Sequence, residues 1–313
     1  MDRIIKLKPV FQERIWGGTN LNSYFGYELP SENTGECWAI SAHKNGDCEI
    51  VNTEYKGKTL SWLYKNHREL FGNISNDEFP LLVKLIDAKD NLSIQVHPDD
   101  NYAKDIEGEA FGKTEAWYIV DCNEDTLLEI GHNGETKEQV KKMIEDGKWD
   151  ELLNYIPIKK GDFFFIPSGT VHAICKNTLI YEIQQSSDIT YRLYDYNRVD
   201  SKTGKERELH KKKSIDVIKV PQKIDETIKP KMEVINNSKV TIYADTEYFK
   251  TIKYDIDGSF EIMNKAPFML CTILDGEATI NEEKFLKGDN FIVPTQLKEI
   301  KIFGKITIIV STL

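Results

Sequence analysis

Cysteine is scarce and unpatterned: five residues, at positions 37, 48, 122, 175 and 271, with no C-x-x-C pair among them. An odd count without paired spacing argues against a disulfide framework and suits packed thiols in a reducing compartment. Long apolar runs are missing too, so no segment is expected to cross a bilayer, which takes about 20 apolar residues in a helix. The opening MDRIIKLKPVFQERIW carries a charge every few residues and no small-residue cleavage site, so a secretory leader is not expected and the expected location is the cytoplasm. Positive charge is not in excess either. A formal net charge of -10 disfavours broad binding to nucleic acid or to an anionic membrane, while leaving room for a local basic cluster that holds one phosphate.

What is present is a chain of 313 residues, 40% hydrophobic and 11% aromatic, enough for one large or two smaller domains with substantial cores. Short apolar or alternating segments recur between Gly, Pro, Asn and Asp: CWAISAH, DCEIVN, LLVKLIDA, LSIQVH, AWYIVDC, DFFFIP and TLIYEIQQ. That spacing predicts an all-β protein. Helical patterns interrupt it at residues 59–71, around 100–107 and at 135–153, where Thr136 is a plausible N-cap and Val140, Met143 and Ile144 recur at helical spacing.

An internal echo organises the chain. GDFFFIP at 161–167 and GDNFIVP at 288–294 share G-D-x-F-x-[IV]-P, and the segments upstream of each, AWYIVDC and CTILDGEATI, also resemble one another. Two homologous barrels, the first enlarged by the 135–153 helical insertion, are the economical reading. The expected division is residues 1–232, with helical insertions and a polar connector at 200–232, and 233–313. The basic run KTGKERELHKKKS in the connector reads as a solvated face.

LSIQVHPDD, residues 92–100, places Gln95 and His97 on one face of a strand while Ile94 and Val96 point the other way. On an exposed face the pair is ordinary surface; inside a closed barrel its polar atoms need partners, and a metal is one. Glu115 opens the AWYIV strand, His172 follows the first G-D-x-F-x-I-P turn, and Arg192 lies in a further β segment. His97, Glu115 and His172 make a zinc-type donor set, with Gln95 as a weak oxygen donor. His43, His67, His132 and His210 read as surface residues. In the second copy Glu299 stands at the spacing of His172 with nothing like Q-x-H before it, so any metal is expected in the first barrel only.

Taken together, IWGG (15–18), LSIQVHPDD (92–100), GKTEAWYI (112–119), IPSGTVHAI (166–174) and EIQQSSDITYRLYDY (182–196) resemble type I phosphomannose isomerase, a family of zinc-dependent cupins. The matches run in order through roughly the first 200 residues, and the compact insertion is similar to the short bacterial form. The resemblance implies two jelly-roll cupin domains, the second degenerate, and an aldose-ketose isomerase that interconverts mannose 6-phosphate and fructose 6-phosphate through an enediol. It implies one Zn2+ per chain on Gln95, His97, Glu115 and His172, with Arg192 and Lys113 catalytic. Substrate contacts fall on Ser93, Lys113, Glu182 and Arg198, the last where the family often has lysine, and Asp188 matches a further acidic position.

Plainer roles stand beside these. Lys113 can pair with Glu115, two residues away on one strand face; Glu182 can serve as a carboxylate partner for Arg192; Trp16 can be core or pocket wall. Rival functions are a sugar-binding bicupin without turnover and an iron-dependent cupin dioxygenase. Lys113 and Arg192 favour a phosphorylated hexose as the partner. The sequence names no partner protein.

Overall fold

A computed structural model describes residues 3–200, 203–222 and 229–313. Strands dominate, as expected, and fall into three principal sheets. A six-stranded sheet runs in the order Phe163–Ile166, Glu115–Cys122, Thr178–Gln185, Leu81–Ala88, Val10–Gly18, Thr34–Ile40. A five-stranded sheet faces it, in the order Leu153–Pro157, Leu127–His132, His172–Ile174, Ile94–Val96, Tyr191–Tyr194. Ile86, Trp117, Ile119 and Ile180 from the first meet Leu128, Ile130 and Ile174 from the second in one buried cluster. Two antiparallel sheets closed over a shared interior form a jelly-roll barrel.

The strands Leu81–Ala88 and Thr178–Gln185 are buried along their whole length. Their apolar residues Leu81, Val83, Leu85, Tyr181 and Ile183 pack outward against Phe268, Leu270, Ile292 and Ile309 of the C-terminal sheet. The alternate set, including Lys84 and Glu182, must therefore face the barrel interior. Burial on both faces explains why these runs read as apolar with isolated charges.

Seven strands between residues 231 and 312 and two from the N-terminal region build a nine-stranded sheet whose long strands are Lys250–Met263, Phe268–Ile280 and Glu299–Thr312. The turns of the two copies of the repeat share backbone conformation and hydrogen bonds. Gly161 and Gly288 both take positive φ (94° and 90°), where glycine is favoured. Gly161 N–H donates to Ile119 O and Gly288 N–H to Ile273 O, each at 2.9 Å. Asp162 Oδ2 accepts from Lys159 N–H (2.9 Å) as Asp289 Oδ2 accepts from Leu286 N–H (2.8 Å).

The pairing of the N-terminal segment is not evident from the sequence. Strand Ile5–Lys8 joins the C-terminal sheet, Ile5 opposite Ile292, and carries Glu49–Ile50 on its other edge. The expected helices form as shorter pieces. Leu60–Asn66 continues into a 3-10 turn, and Lys137–Glu145 and Trp149–Leu152 replace one long helix. Thr136 caps as expected, its hydroxyl accepting from Gln139 N–H at 3.1 Å. Lys137–Glu145 and Trp149–Leu152 cover the outer face of the five-stranded sheet, where Ile94 and Val96 pack with Val140, Ile144 and Leu152, whereas Leu60–Asn66 packs with Leu81 and Val83 of the six-stranded sheet. Of the expected connector, residues 201–202 and 223–228 lie outside the described residues; the rest holds a small strand pair and the helix Lys211–Val217. Among the described residues no helix is long and apolar enough to cross a membrane.

Candidate metal centre and substrate cleft

Strand register assembles the site. Gln95 pairs directly with His172 on one side and with Arg192 on the other, so these side chains share the inner face of the five-stranded sheet. From the facing sheet, Glu115 lies opposite Gln184 and Ile166 and points inward with Trp117. His97 follows its strand and is buried, as Glu115 and His172 are, while Gln95 and Arg192 are partly exposed.

His97 Nδ1 lies 2.8 Å from Ile189 O and His172 Nδ1 2.9 Å from Thr170 O. A carbonyl only accepts, so both rings carry hydrogen on Nδ1 and present a lone pair at Nε2. Those Nε2 atoms approach Glu115 Oε2 and Oε1 at 3.6 and 3.4 Å. One ligand atom from each of the three residues falls within 4.8 Å of the others, the only such group of His, Cys, Asp and Glu among the described residues. Gln95 Nε2 stands 3.4 Å from His172 Nε2, and a half-turn of its amide presents Oε1 there instead.

Electrostatics prepare the set for a cation. Burial, and after it the charge of Lys113, pushes His172 down to about 3; burial and Lys113 hold His97 well below the ordinary imidazole range. Both rings are neutral at pH 7, as ligands must be. Burial opposes the charge on Lys113, yet Glu115, Glu182 and Asp188 hold its pKa above the ordinary lysine value. Its ammonium lies 2.8 Å from Glu115 Oε2 and 3.1 Å from His97 Nε2, and Glu115 Oε1 has no hydrogen-bond partner. Buried lone pairs with that little satisfaction are a donor set that selects positive charge. Two imidazoles, one carboxylate and an amide oxygen fit a divalent metal of the zinc type.

A cleft of about 430 Å³ opens beside the cluster. Of the expected residues, Ser93, Gln95, Lys113, Glu182, Asp188 and Arg192 line it, as does Trp16, which is also packed in the barrel core. Arg192 Nε donates to Ser93 Oγ (3.2 Å) and Nη1 to Glu208 O (2.9 Å). Glu182 does not pair with Arg192. It accepts from Trp117 Nε1 at 2.9 Å and stands 3.4 Å from Lys84 Nζ. Lys113 does pair with Glu115, and lines the cleft as well.

Arg198 is not brought into the cleft: it bonds Asp195 and the carbonyl of Asn91, and no part of it lines the cavity. Arg207 and His210 line it instead, so the connector's basic run is only partly a solvated face. Also missed in the sequence are Lys84, Glu36 and Arg14. Trp38, Lys84, Glu182 and Trp117 stand side by side across four strands, a row that exists only once register is set. Arg14 grips Glu36 through two bonds of 3.0 and 2.9 Å, and although burial raises the Glu36 pKa, Lys84 and Arg14 bring it down to about 2. His43 and His132 are buried rather than at the surface; His132 holds Lys219 O and Gly134 N–H, a structural role.

A jelly-roll barrel with a His-Glu-His cluster on its inner walls defines the class, a cupin with a metal-type centre. Residues 4–129 match the catalytic domain of type I phosphomannose isomerases, and residues 239–313 the cupin domain of mannose-6-phosphate isomerases. The chain is 49% identical over 310 residues to mannose-6-phosphate isomerase ManA of Bacillus subtilis, covering 98% of each chain. It is 44% identical over 309 residues to mannose-6-phosphate isomerase of Streptococcus mutans, covering 97% of this chain and 96% of that one. A crystal structure of the mannose 6-phosphate isomerase from Bacillus subtilis superposes with a TM-score of 0.96 at 46% identity, covering 99% of both chains. The chain belongs to the type I phosphomannose isomerase family and is an enzyme of that family.

Proposed function

We propose that the enzyme interconverts mannose 6-phosphate and fructose 6-phosphate with one zinc ion held by Gln95, His97, Glu115 and His172. The observation that carries this reading is the pair of neutral Nε2 lone pairs converging with Glu115 next to a cleft lined by Ser93, Lys113 and Arg192. Isomerisation opens the sugar ring, removes the proton at C2 and returns it to C1 through an enediol. When bound, the metal supplies Lewis-acid stabilisation of oxygen charge, worth several kcal/mol.

The chain's own groups do the rest. Lys113 and Arg192 bring fixed positive charge to the side of the cleft where the enediol oxygens carry density. The Ile189 and Thr170 carbonyls hold the two imidazoles in one orientation and tautomer. Trp16 and Ile86 wall the cleft and limit water. The five free thiols, three of them buried, support a reducing compartment such as the cytoplasm.

The test is a coupled assay from mannose 6-phosphate on protein as purified, after chelation, and after adding back zinc or iron(II), with metal content measured in parallel. Turnover that vanishes on chelation and returns with zinc supports the proposal. Full turnover without metal would overturn the metal assignment, and substrate binding without turnover would make the protein a sugar-phosphate binder.

A further inference from the structure

Arg198, the arginine that motif matching places on the substrate, points its guanidinium at Asp195 and Asn91 O, outside the cleft. The cleft nevertheless has a cationic wall, built by a segment that looks like a linker in sequence. Strand Lys205–Glu206 pairs with Val199–Asp200 and turns the chain back over Tyr191–Tyr194. His210 N–H donates to Arg192 O at 2.7 Å, and Arg192 N–H donates to His210 Nδ1 at 3.2 Å. Glu208 O accepts from Arg192 Nη1. The segment is therefore clamped to the backbone and the side chain of Arg192.

Arg207 sits in the middle of this clamp. Its Nε donates to Asp195 Oδ2 at 2.8 Å and its Nη2 to Asp195 Oδ1, so the carboxylate fixes one edge of the guanidinium. Nη1 of Arg207 and Nη2 of Arg192 have no hydrogen-bond partner among the described residues. His210 Nδ1 is an acceptor, so its Nε2 carries the hydrogen; the Glu208 carboxylate lies 4.0 Å from it. Three donors on one wall of the cleft are thus uncommitted or only loosely engaged. Arg192, Arg198 and Arg207 surround the buried carboxylate of Asp195, and the Glu208 carboxylate also acts on Arg192. Asp188 and Asp200 also line the cleft, and Asp188 accepts from Asn45 Nδ2 at 3.0 Å.

We infer that residues 205–210 form a strap that binds the substrate's phosphate, with Arg207 rather than Arg198 as its principal phosphate ligand. The chemistry is that of a phosphate monoester, which accepts planar guanidinium bonds and imidazole N–H bonds together. Because Asp195 orients the guanidinium beforehand, little side-chain freedom is lost when the phosphate arrives. The inference rests on the proposed sugar-phosphate substrate.

The test compares the zinc-loaded wild type with Arg207→Ala, Arg207→Lys and Arg198→Ala. Inorganic phosphate is titrated calorimetrically against a chloride control at matched ionic strength, and KM and kcat are measured with mannose 6-phosphate. Loss of a charged hydrogen-bond donor predicts phosphate affinity in Arg207→Ala weaker by roughly 10- to 100-fold, with KM rising more than kcat falls and Arg207→Lys intermediate. Arg198→Ala, if folded, binds phosphate as tightly as the wild type. Unchanged phosphate affinity in Arg207→Ala overturns the inference. So does a fall in kcat at constant KM, which would show that Arg207 only positions Arg192. If the wild type binds phosphate through Arg207 but does not isomerise the sugar, the proposed function fails and the strap stands.

Discussion

His172 stands directly opposite Gln95 in an antiparallel strand pair, their side chains meeting at 3.4 Å on the inner barrel face. The two are not equivalent donors: the imidazole offers a fixed lone pair, whereas the amide must rotate. His172→Ala is expected to abolish stoichiometric zinc, and Gln95→Ala to weaken zinc by roughly 10- to 100-fold while leaving it measurable. Chelator competition on purified variants reads both. A Gln95→Ala protein that holds less zinc than His172→Ala would reverse the assignment of strong and weak ligands.

The role proposed for Arg192 is a different one. Burial, and then the neighbouring Arg207, bring its pKa down to about 10, so it is still charged at pH 7. Its Ser93 and Glu208 bonds hold it at the cleft wall next to Gln95. Arg192→Ala should lower kcat by roughly 100-fold or more through lost stabilisation of developing charge, with zinc content near that of the wild type. Arg192→Lys should recover only part, because a single ammonium nitrogen does not reproduce the separated Nε and Nη1 donors of the guanidinium. An Arg192→Ala enzyme with unchanged kcat and a raised KM would make this arginine a binding group alone.

The sequence makes legible what depends on short range. The alternation in LSIQVH puts Gln95 inward with Ile94 and Val96 outward, and the structure has that arrangement because helices cover the outer side. Gly161 and Gly288 open equivalent turns since each needs positive φ followed by an aspartate that closes the loop. What depends on register or on distant pairing was hidden. Lys84 joins Glu182 only because two strands align residue by residue, and a lone charge in an apolar run does not say what faces it. Ile5–Lys8 alternates like any strand, yet nothing local says that its partner lies near residue 292. Arg207 belongs to a basic run that composition assigns to solvent; the buried Asp195 draws it in.

Glu129 gives a test of stability against pH outside the cleft. Its Oε2 is buried without a hydrogen-bond partner, and burial, followed by Asp150, raises the carboxyl from 4.5 to about 7. In the unfolded chain the proton leaves near 4.5, whereas the folded protein keeps it until about 7. Folding therefore takes up a proton between those values, and stability contributed by the neutral form is present at low pH and lost as pH rises to about 7. Glu129→Gln should raise stability at pH 8 by up to about 3 kcal/mol and change it little at pH 4. Denaturant melts at both pH values check this; an equal gain at both would mean that the ionised carboxylate is not the cause.

The C-terminal sheet keeps the repeat's turn without a counterpart of the His-Glu-His cluster. Glu299 occupies the spacing of His172, but its side chain is partly exposed and bonds Lys301 at 3.0 Å, and no second metal-type cluster occurs among the described residues. One carboxylate does not hold zinc specifically. Glu299→Ala should leave zinc content and kcat unchanged and stability within about 0.5 kcal/mol. The strand Ile5–Lys8 supplies a contrast, because it joins the ends of the chain. Ile4 packs into the C-terminal core with Ile273 and Val293, while Ile5 and Leu7 pack between the sheets with Leu270 and Ile292. Ile5 is fully buried, and Ile5→Ala leaves a cavity in that layer, which should cost about 2–5 kcal/mol. Zinc stoichiometry should survive this loss, since the strand lies away from the proposed ligands. Thermal and urea melts with metal analysis separate the two expectations. Zinc loss in Glu299→Ala, or wild-type stability in Ile5→Ala, would contradict a metal centre confined to the first barrel and a C-terminal sheet completed by the N-terminal strand.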